Sequence, residues 1–380
     1  MMDILLIIIL IIIILGCIIF VIICIAKQNN KIIGGTSEDK CDIQGEIKAG
    51  YGGGFIIITE GNEVYKIFLT MISKFEGEVS PETISKKRET VLGEIHIFKT
   101  LKKTIIDPGI SDHIVEYIQD FECDNPDKLF ESCPDTLMKH ITSDQKKPNC
   151  SIYYSKFPIN TLIKPVNILQ IQYYEYDAWK YLNSICNMKA SDIITRLDII
   201  IFQITHTILA IKSVYPYFIH RDLHIGNILG TMDTKNKNLT YTYNNLEYKI
   251  PFCEFYPKIN DFGIAYLDIN NKTHEFSSDS FYVDLYIFLM SIYYFVFRNN
   301  FITNVINRKK FNKIRTYLNH FMKFNTMDYV KKLEYNRYSG EKFIFKYITN
   351  IYDDNFVKDI KIKHPKWLIE NYFNKYLIDK

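Results

Sequence analysis

The chain has little excess charge of either sign and few glycines and prolines. Its 46 Lys and Arg residues nearly balance its 43 Asp and Glu residues, which leaves a formal net charge of +3. Nucleic-acid-binding domains usually carry a concentrated basic excess, so we expect no nucleic-acid partner. Only 16 glycines and 11 prolines occur in 380 residues, while 47% of residues are hydrophobic. This composition argues against gross disorder and predicts a sizeable core.

The cysteines form none of the patterns typical of metal sites or stapled domains. Eight of them are scattered along the chain, without a C-x-x-C pair or histidines at zinc spacing. Disulfide-stapled domains are small and rich in cysteine, unlike this chain. We therefore expect reduced thiols in a cytosolic compartment. The cysteines are Cys17, Cys24, Cys41, Cys123, Cys133, Cys150, Cys186 and Cys253.

An unbroken apolar run occupies residues 4–26, ILLIIILIIIILGCIIFVIICIA. As a helix this run reaches roughly 34 Å, enough to cross a bilayer core of about 30 Å. Asp3 precedes the run and Lys27 follows it, whereas a cleaved signal peptide begins with a basic region. A retained membrane anchor is therefore favoured over a signal peptide or a buried core helix. Because Lys27 and Lys31 follow the run, the positive-inside rule places the rest of the chain in the cytosol.

A glycine-rich turn leads into two predicted strands, the second of them at residues 63–68. Glycines let a backbone fold closely over phosphates and direct N–H groups at them. The turn lacks the Gly-Lys-Ser/Thr of a Walker loop, and it leads into a strand where a Rossmann loop leads into a helix. We expect these glycines to bind a nucleotide. They are Gly50, Gly52, Gly53 and Gly54.

A lysine and a later glutamate form a candidate pair. Val-Tyr-Lys-Ile, with Lys66, is similar to the Val-Ala-Ile-Lys signature that places an ammonium on nucleotide phosphates. Residues 93–101 have helical spacing and are similar to the kinase helix whose glutamate pairs with that lysine. Glu94 is the first candidate for the pairing and Glu89 the alternative. The long separation from Lys66 predicts an insertion near residues 71–85.

Two further segments are predicted as strands. Residues 113–117, His-Ile-Val-Glu-Tyr, follow the helical pattern. Residues 168–176, ILQIQYYEY, are similar to the strand and hinge that receive the adenine of ATP in kinases. Glu175 is the candidate contact in this hinge.

The most specific pattern is FIHRDLHIGNIL at residues 218–229, after a helical pattern from about residue 192 to 214. His-Arg-Asp, with Asn five residues after the Asp, is the catalytic-loop signature of protein kinases. This spacing makes Asp222 the candidate that accepts or orients the proton of an attacking hydroxyl. It makes Asn227 a candidate magnesium ligand.

A predicted strand then ends in Asp-Phe-Gly, where Asp261 is the candidate ligand for the magnesium that bridges the β- and γ-phosphates. Each candidate alone has a structural explanation, such as a turn residue or a strand cap. The complete set in this order is hard to assemble by accident.

These motifs resemble the eukaryotic protein-kinase superfamily over about residues 45–300. The resemblance implies an α+β, bilobal protein-kinase-like fold, preceded by one transmembrane helix. We expect an anchor at residues 1–27, a linker at 28–44, a small β-rich lobe at 45–175 and a larger helical lobe at 176–380.

Three features are similar to haspin-type kinases in particular. They are the string His-Arg-Asp-Leu-His-x-Gly-Asn, a strand-like insertion within residues 231–257, and the absence of Ala-Pro-Glu before a predicted helix at residues 282–290. Asp284 in that helix is expected to hydrogen-bond back to the catalytic loop. Asp-Phe-Gly differs from the haspin form of that motif, and the shorter string Asp-Leu-His-x-Gly-Asn also occurs in small-molecule kinases. The usage of Ile, Asn, Lys and Tyr is typical of some large DNA viruses.

The resemblance implies a serine/threonine kinase that uses ATP and Mg²⁺ and phosphorylates a protein substrate. It would be a single-pass membrane protein with its kinase domain in the cytosol. A small-molecule kinase and a pseudokinase that acts as a nucleotide-binding scaffold are the alternatives. Degenerate kinases usually lose at least one key residue, and this chain retains Lys66, Asp222, Asn227 and Asp261. The sequence does not indicate an oligomeric state.

Overall fold

The computed structural model describes residues 41–43, 45–49, 54–68, 81–124, 164–232, 238–267, 283–298, 305–321 and 363–378. The predicted anchor at residues 4–26 and three of the candidate glycines, Gly50, Gly52 and Gly53, lie outside the described residues. Two compact units are present, and we describe each by itself. The first comprises Met1–Glu60, Ile67–Ser73 and Phe121–Ile168, and the second comprises Gly61–Lys66, Lys74–Asp120 and Leu169–Lys380.

The described elements make an α+β fold, as the sequence predicts. The strands are β1 Glu46–Ala49, β2 Gly54–Ile58, β3 Glu63–Phe68, β4 Tyr117–Cys123, β5 Val166–Gln172, β6 Tyr176–Asp177, β7 Ile228–Met232, β8 Leu239–Tyr243, β9 Leu246–Ile250 and β10 Phe255–Ile259. The longer helices are α1 Pro81–Leu101, α2 Ala178–Ile185, α3 Ala190–Val214, α4 Val283–Arg298 and α5 Val305–Leu318. The strand orders are β1-β2-β3-β5-β4, β10-β7-β6 and β8-β9.

In the first unit, β1 and β2 pair antiparallel, with Glu46 opposite Ile58 and Ala49 opposite Phe55. A disulfide joins Cys41 to Cys123 there, with their Cα atoms 5.5 Å apart. The expectation that all cysteines are reduced is wrong for this pair. The two side chains are buried next to each other although they are 82 positions apart in the sequence. Such a long-range pairing leaves no local pattern in the sequence.

Helix α1 begins earlier than the sequence predicts. Residues 81–85, expected in an insertion, form its first turns, with Pro81 at the start, where its missing N–H costs no hydrogen bond. A π-helical turn, Lys102–Ile106, continues it. The strand predicted at residues 113–117 also shifts, because β4 begins at Tyr117. Before it, Ile114 makes an isolated parallel bridge to Ile259.

Helix α3 is the central helix of the second unit. Within the described residues it is the one helix long and apolar enough to cross a membrane by length and composition, and 83% of its most apolar stretch is buried inside the protein. Such burial is typical of a core helix. Asp198, itself buried, accepts hydrogen bonds from the hydroxyls of Tyr317, Tyr372 and Tyr376. These bonds attach α5 and the carboxy-terminal turns to α3.

The insertion predicted as strand-like within residues 231–257 contains the hairpin β8–β9. Its two-residue turn, Asn244 and Asn245, has φ angles of 49° and 62°. Consecutive positive φ angles define the turn that matches the twist of a hairpin, and asparagine tolerates them better than most residues. Within the hairpin, Tyr241 Oη lies 2.7 Å from Nε2 of the fully buried His113. The hairpin is therefore part of the core of the second unit.

Candidate active site

The pairing of β7 with β10 brings the two most specific motifs of the sequence together. Ile228 lies opposite Ile259 in this antiparallel pair, so the residues just outside it, Asn227 and Asn260, are neighbours. The Asn260 N–H donates to the Asn227 carbonyl at 2.9 Å. The end of the His-Arg-Asp segment and the start of the Asp-Phe-Gly segment therefore meet at one end of a strand pair.

Lys66 on β3 contacts two carboxylates. Its Nζ donates to Glu94 Oε1 at 2.6 Å and to Asp261 Oδ1 at 2.9 Å. Of the two glutamates considered from the sequence, the structure places Glu94 at Lys66. Glu89 is exposed and accepts a hydrogen bond from Ser85. A Cβ atom on Gly263 would lie 3.2 Å from Glu94 Oε2, so a glycine leaves room for the glutamate here.

The electrostatics of this cluster favour a charged lysine and a charged aspartate. Burial alone would lower the pKa of Lys66, but Glu94 and Asp261 outweigh it and the pKa is raised. Burial alone would raise the pKa of Asp261, but Lys66 outweighs it and the pKa is lowered. For Glu94 burial is the larger effect and raises the pKa, partly offset by Lys66. The ion pair with Lys66 therefore favours a deprotonated Asp261.

The carboxyl of Asp222, the candidate general base, has a raised pKa. Burial, with a smaller contribution from Asp261, raises the pKa of its carboxyl to about 6. A base with a pKa near the working pH accepts a proton most efficiently. Asn227 Nδ2 donates to Asp222 Oδ2 at 3.2 Å and to the Asp222 carbonyl at 2.9 Å. These bonds orient the carboxylate of Asp222.

Helix α4 is hydrogen-bonded to the loop that contains the His-Arg-Asp motif, as the sequence predicts for Asp284. The two carboxylate oxygens of this buried residue accept the backbone N–H groups of His220 and Arg221, at 2.8 Å and 2.9 Å. Ser291, about two turns further along α4, accepts the N–H of Ile225 at 3.0 Å. The sequence analysis did not single out Ser291, and a lone serine in an apolar helix carries no specific signal.

Aromatic rings in edge-to-face and tilted contact pack between α1 and the loop that contains His220. The Phe262 ring lies 4.9 Å from that of Phe98 and 5.1 Å from that of His220, centroid to centroid. His220 Nε2 also contacts the Asn260 carbonyl at 2.9 Å. Asp261 adopts a left-handed backbone conformation, with φ of 64°. Non-glycine residues with such φ angles are concentrated at functional sites.

The oxygen atoms that Asp261 and Asn227 offer as metal ligands suit a magnesium ion carried by a nucleotide. Asp261 offers a carboxylate, and the two amide hydrogen atoms of Asn227 face Asp222, which leaves its oxygen as the ligand atom. In the described part of the chain, no group of three or more His, Cys, Asp or Glu side chains is placed to hold a metal ion. Mg²⁺ is often bound by one or two protein ligands together with substrate phosphates. Asp261 and Asn227 fit that arrangement.

The remaining candidates are not brought to this cluster by any described contact. Gly54 is the first residue of β2 and belongs to the first unit. Glu175 is exposed between β5 and β6, in the predicted hinge. The structure therefore assembles Lys66, Glu94, Asp222, Asn227 and Asp261, all in the second unit.

Comparison with known proteins agrees with the resemblance to protein kinases. No family model matches the chain. A protein of Acanthamoeba polyphaga mimivirus, named "Putative serine/threonine-protein kinase", is 25% identical over 276 residues, which cover 64% of this chain and 69% of that protein. This similarity supports a protein-kinase-like family, and it does not distinguish the haspin type.

Proposed function

We propose that the chain is an ATP- and Mg²⁺-dependent protein kinase, with serine or threonine as the acceptor. The observation that carries this proposal is the cluster of polar side chains that the second unit brings together. There Lys66 is paired with Glu94 and Asp261, next to a loop in which Asn227 orients Asp222. The mimivirus relative, by its name, supports the same reaction.

Each residue has a task in the proposed reaction. Lys66, held by Glu94, binds the α- and β-phosphates, and Asp261 and Asn227 are the ligands for Mg²⁺. Mg²⁺, when bound, neutralises the charge on the phosphate oxygens. Asp222 accepts the proton of the acceptor hydroxyl, whose oxygen forms a bond to the γ-phosphorus as the bond to ADP breaks. The carboxyl of Asp222 is suited to this because its pKa of about 6 lies near neutral pH.

The finer parts of the proposal rest on the sequence resemblance. A β-rich lobe at residues 45–175 and a helical lobe at 176–380 form the proposed bilobal kinase. Gly50, Gly52, Gly53, Gly54 and Glu175 are the proposed nucleotide contacts. The hairpin β8–β9, between the two motifs of the site, supports the haspin type.

The proposed kinase is attached to a membrane through residues 4–26. Lys27 and Lys31 support a catalytic domain in the cytosol, where ATP is available. The disulfide between Cys41 and Cys123 opposes it, because disulfides persist mainly in oxidising compartments. Protease digestion of sealed membranes that contain the full chain distinguishes these orientations. If protease added to the cytosolic side digests the kinase domain, the result supports our proposal. If the domain is protected from that protease, it lies on the opposite side of the membrane.

Transfer of label from γ-labelled Mg-ATP by the full chain tests the proposed reaction. The acceptors are a panel of basic and acidic proteins and, separately, choline and an aminoglycoside. We expect label on serine or threonine of protein, and none with Asp222→Asn. Label only on the small molecules would establish the small-molecule kinase instead. Binding of ATP without any transfer would establish the pseudokinase.

A further inference from the structure

Helix α5 lies in a part of the chain that contains basic residues and no acidic ones. Residues 285–327 include seven Lys and Arg residues and no Asp or Glu, although the whole chain has 46 basic and 43 acidic residues. Five of the seven belong to α5, and they are Arg308, Lys309, Lys310, Lys313 and Arg315. No acidic side chain of this segment therefore offsets the positive charge of α5.

The two sides of α5 differ in exposure. Its apolar side is buried, and Tyr317 on that side donates a hydrogen bond to Asp198 of α3. The buried residues are Phe311, Ile314, Tyr317 and Leu318. Lys309 and Lys313 lie on the exposed side, four positions apart and therefore neighbours on the helix surface. We call the exposed residues Lys309, Asn312, Lys313 and Thr316 the basic face of α5.

The half-buried basic side chains of α5 are engaged by the protein, whereas the lysines of the basic face are not. Nζ of Lys310 donates to the Cys186 carbonyl at 3.0 Å, and the Arg315 guanidinium lies 5.9 Å from the centroid of an aromatic ring of the same helix. Among the described residues, no ion pair involves Lys309 or Lys313. Like charges four positions apart repel each other on a helix. Contact with an anionic surface would relieve this repulsion.

An exposed tryptophan lies near the carboxy-terminal end of α5. The Lys363 N–H donates to the carbonyl of Phe321, which follows that end by three residues, at 2.8 Å. Nζ of Lys363 lies 4.5 Å from the centroid of the Trp367 ring, and Trp367 is 41% exposed. Tryptophan is enriched at membrane–water interfaces, and lysine extends its ammonium toward the headgroups there. This pair is therefore suited to the surface of a bilayer.

We propose that the basic face of α5, with Lys363 and Trp367 beside its end, contacts anionic lipid headgroups of the membrane that holds residues 4–26. This inference rests on the proposed attachment to a membrane with the catalytic domain in the cytosol. The cytosolic leaflet contains anionic lipids, and its surface attracts lysines within a Debye length, about 8 Å at physiological salt. The contact brings the second unit to the bilayer through α5.

The number of lysines favours a membrane over a soluble polyanion. Proteins that bind nucleic acid neutralise on the order of six to ten phosphates. This surface offers three lysines, Lys309, Lys313 and Lys363. A partner attached to the same chain needs fewer contacts, because its binding is intramolecular and its effective concentration is high. A bilayer that holds residues 4–26 is such a partner, and a soluble nucleic acid or acidic protein is not.

Fluorescence of Trp367 in the full chain tests the contact. The chain has two tryptophans, so Trp179→Phe leaves Trp367 as the sole emitting tryptophan. The protein is placed in lipid nanodiscs whose acyl chains carry bromine, which quenches tryptophan at close range. We expect quenching with phosphatidylserine in the disc and none with phosphatidylcholine alone. Raising the salt from about 0.1 M to about 1 M should reverse the quenching, because the Debye length falls to about 3 Å.

Three double variants in this background separate the basic face from charge in general. With Lys309→Gln/Lys313→Gln we expect the ratio of docked to undocked chain to fall about 25-fold, since each lysine contributes about fivefold. Lys309→Arg/Lys313→Arg keeps the charge and should keep the quenching. Lys103→Gln/Lys249→Gln removes two exposed lysines outside α5 and should change the ratio by less than about twofold. Melting temperatures verify that the variants fold.

Unquenched Trp367 in the anionic discs, or equal losses in the two glutamine variants, overturns the inference. Retention of the chain by the membrane is measured separately, by extraction with alkaline carbonate. A chain that is extracted overturns the proposed attachment and this inference with it. A retained chain with unquenched Trp367 overturns the inference alone.

An acidic peptide and a single-stranded oligonucleotide, added to the chain in discs of phosphatidylcholine alone, test the other occupants of the basic face. We expect neither to change the fluorescence of Trp367 at about 0.15 M salt. Binding that depends on Lys309 and Lys313, without any quenching by anionic lipid, would assign the basic face to a soluble polyanion and overturn the inference.

Discussion

Nζ of Lys66 lies 2.6 Å from Oε1 of Glu94, although the two residues are 28 positions apart in the sequence. Glu94 is buried on α1, and no backbone hydrogen bond connects it to Lys66. This salt bridge is a direct contact between α1 and β3, and together with the pairing to Asp261 it positions the ammonium of Lys66. We expect the activity of the protein to depend on this pair.

Removing the charge of Glu94 should lower catalysis without unfolding the protein. Glu94→Gln keeps the size of the side chain and leaves Lys66 with Asp261 as its partner, which draws the ammonium away from the phosphates. We expect kcat/KM for ATP to fall about 100-fold, because small misplacements of catalytic groups have effects of this size. Glu89→Gln is the matched control on the same helix, and it should leave kcat/KM unchanged. Equal losses in the two variants would contradict the assignment of Glu94.

The choice between these glutamates could have been made from the sequence alone. Glu89 and Glu94 are five positions apart, which at 100° per residue places them about 140° apart around a helix. Glu94 shares its face with Phe98, one turn later, whose ring packs on Phe262. Helical phase relative to the apolar positions therefore selects Glu94. The start of α1 could not be predicted in this way, because its first turns are polar and have no apolar period.

Activity should fall as the pH decreases through about 6. The raised pKa of Asp222 means that its carboxyl is mostly deprotonated at pH 7 and mostly protonated at pH 5. A protonated carboxyl cannot accept the proton of the hydroxyl, so kcat/KM should decrease tenfold per pH unit below about 6. The measurement is kcat/KM from pH 5 to pH 8 at fixed ionic strength, with ATP binding followed in parallel. An acid limb at the ordinary pKa of an aspartate, about 4, would contradict the burial of this group.

Stability should also depend on pH, through His113. Burial lowers the pKa of this histidine to about 4, and the nearby Asp112 offsets only part of this decrease. Its ring nitrogens contact the Tyr241 hydroxyl and the Pro257 carbonyl. The folded state binds a proton at His113 more weakly than the unfolded state does. The contribution of His113 to stability is therefore fully present above about pH 6.5 and is lost as the pH falls toward 4. We expect a loss of about 2–3 kcal/mol over this range.

Denaturant unfolding at a series of pH values measures this effect. His113→Gln lacks the imidazole at position 113 and keeps the other titrating groups, so its free energy of unfolding should vary less between pH 6.5 and pH 4 than that of the wild type. The titratable groups that face His113 are the same in both proteins, and they are Asp112, Lys258 and His206. Parallel curves for the two proteins would show that His113 is not held neutral in the fold.

The disulfide between Cys41 and Cys123 should contribute to stability where the protein is oxidised. Closing a loop of 82 residues restricts the unfolded chain, and such bonds contribute typically about 2–4 kcal/mol. We expect Cys123→Ser, or a reductant, to lower the melting temperature of the full chain. Cys186→Ser changes a free, half-buried thiol and is the matched control. If reductant leaves the melting temperature of the wild-type protein unchanged, the two thiols are not joined in solution.

The local motifs were easier to predict than the contacts between them. The spacing of Asp222 and Asn227 lies within one loop, and the sequence contains all of it. The meeting of Asn227 with Asn260 depends on the register of β7 against β10, which the strand-like insertion between them obscures. The start of β4 at Tyr117, later than predicted, was also obscured in the sequence. His113, Ile114 and Val115 are all buried, so they show neither the alternation of a strand nor a helical period.

Comparison of the wild-type full chain with Asp222→Asn, under saturating Mg-ATP, tests the central conclusion most directly. The quantity to measure is the rate of γ-phosphoryl transfer to protein, with nucleotide binding measured on the same samples. We predict transfer by the wild type, binding of nucleotide by both proteins, and a rate in Asp222→Asn that is lower by at least about 1,000-fold. Transfer by Asp222→Asn at the wild-type rate would contradict the assignment of Asp222 as the base and of this loop as the active site.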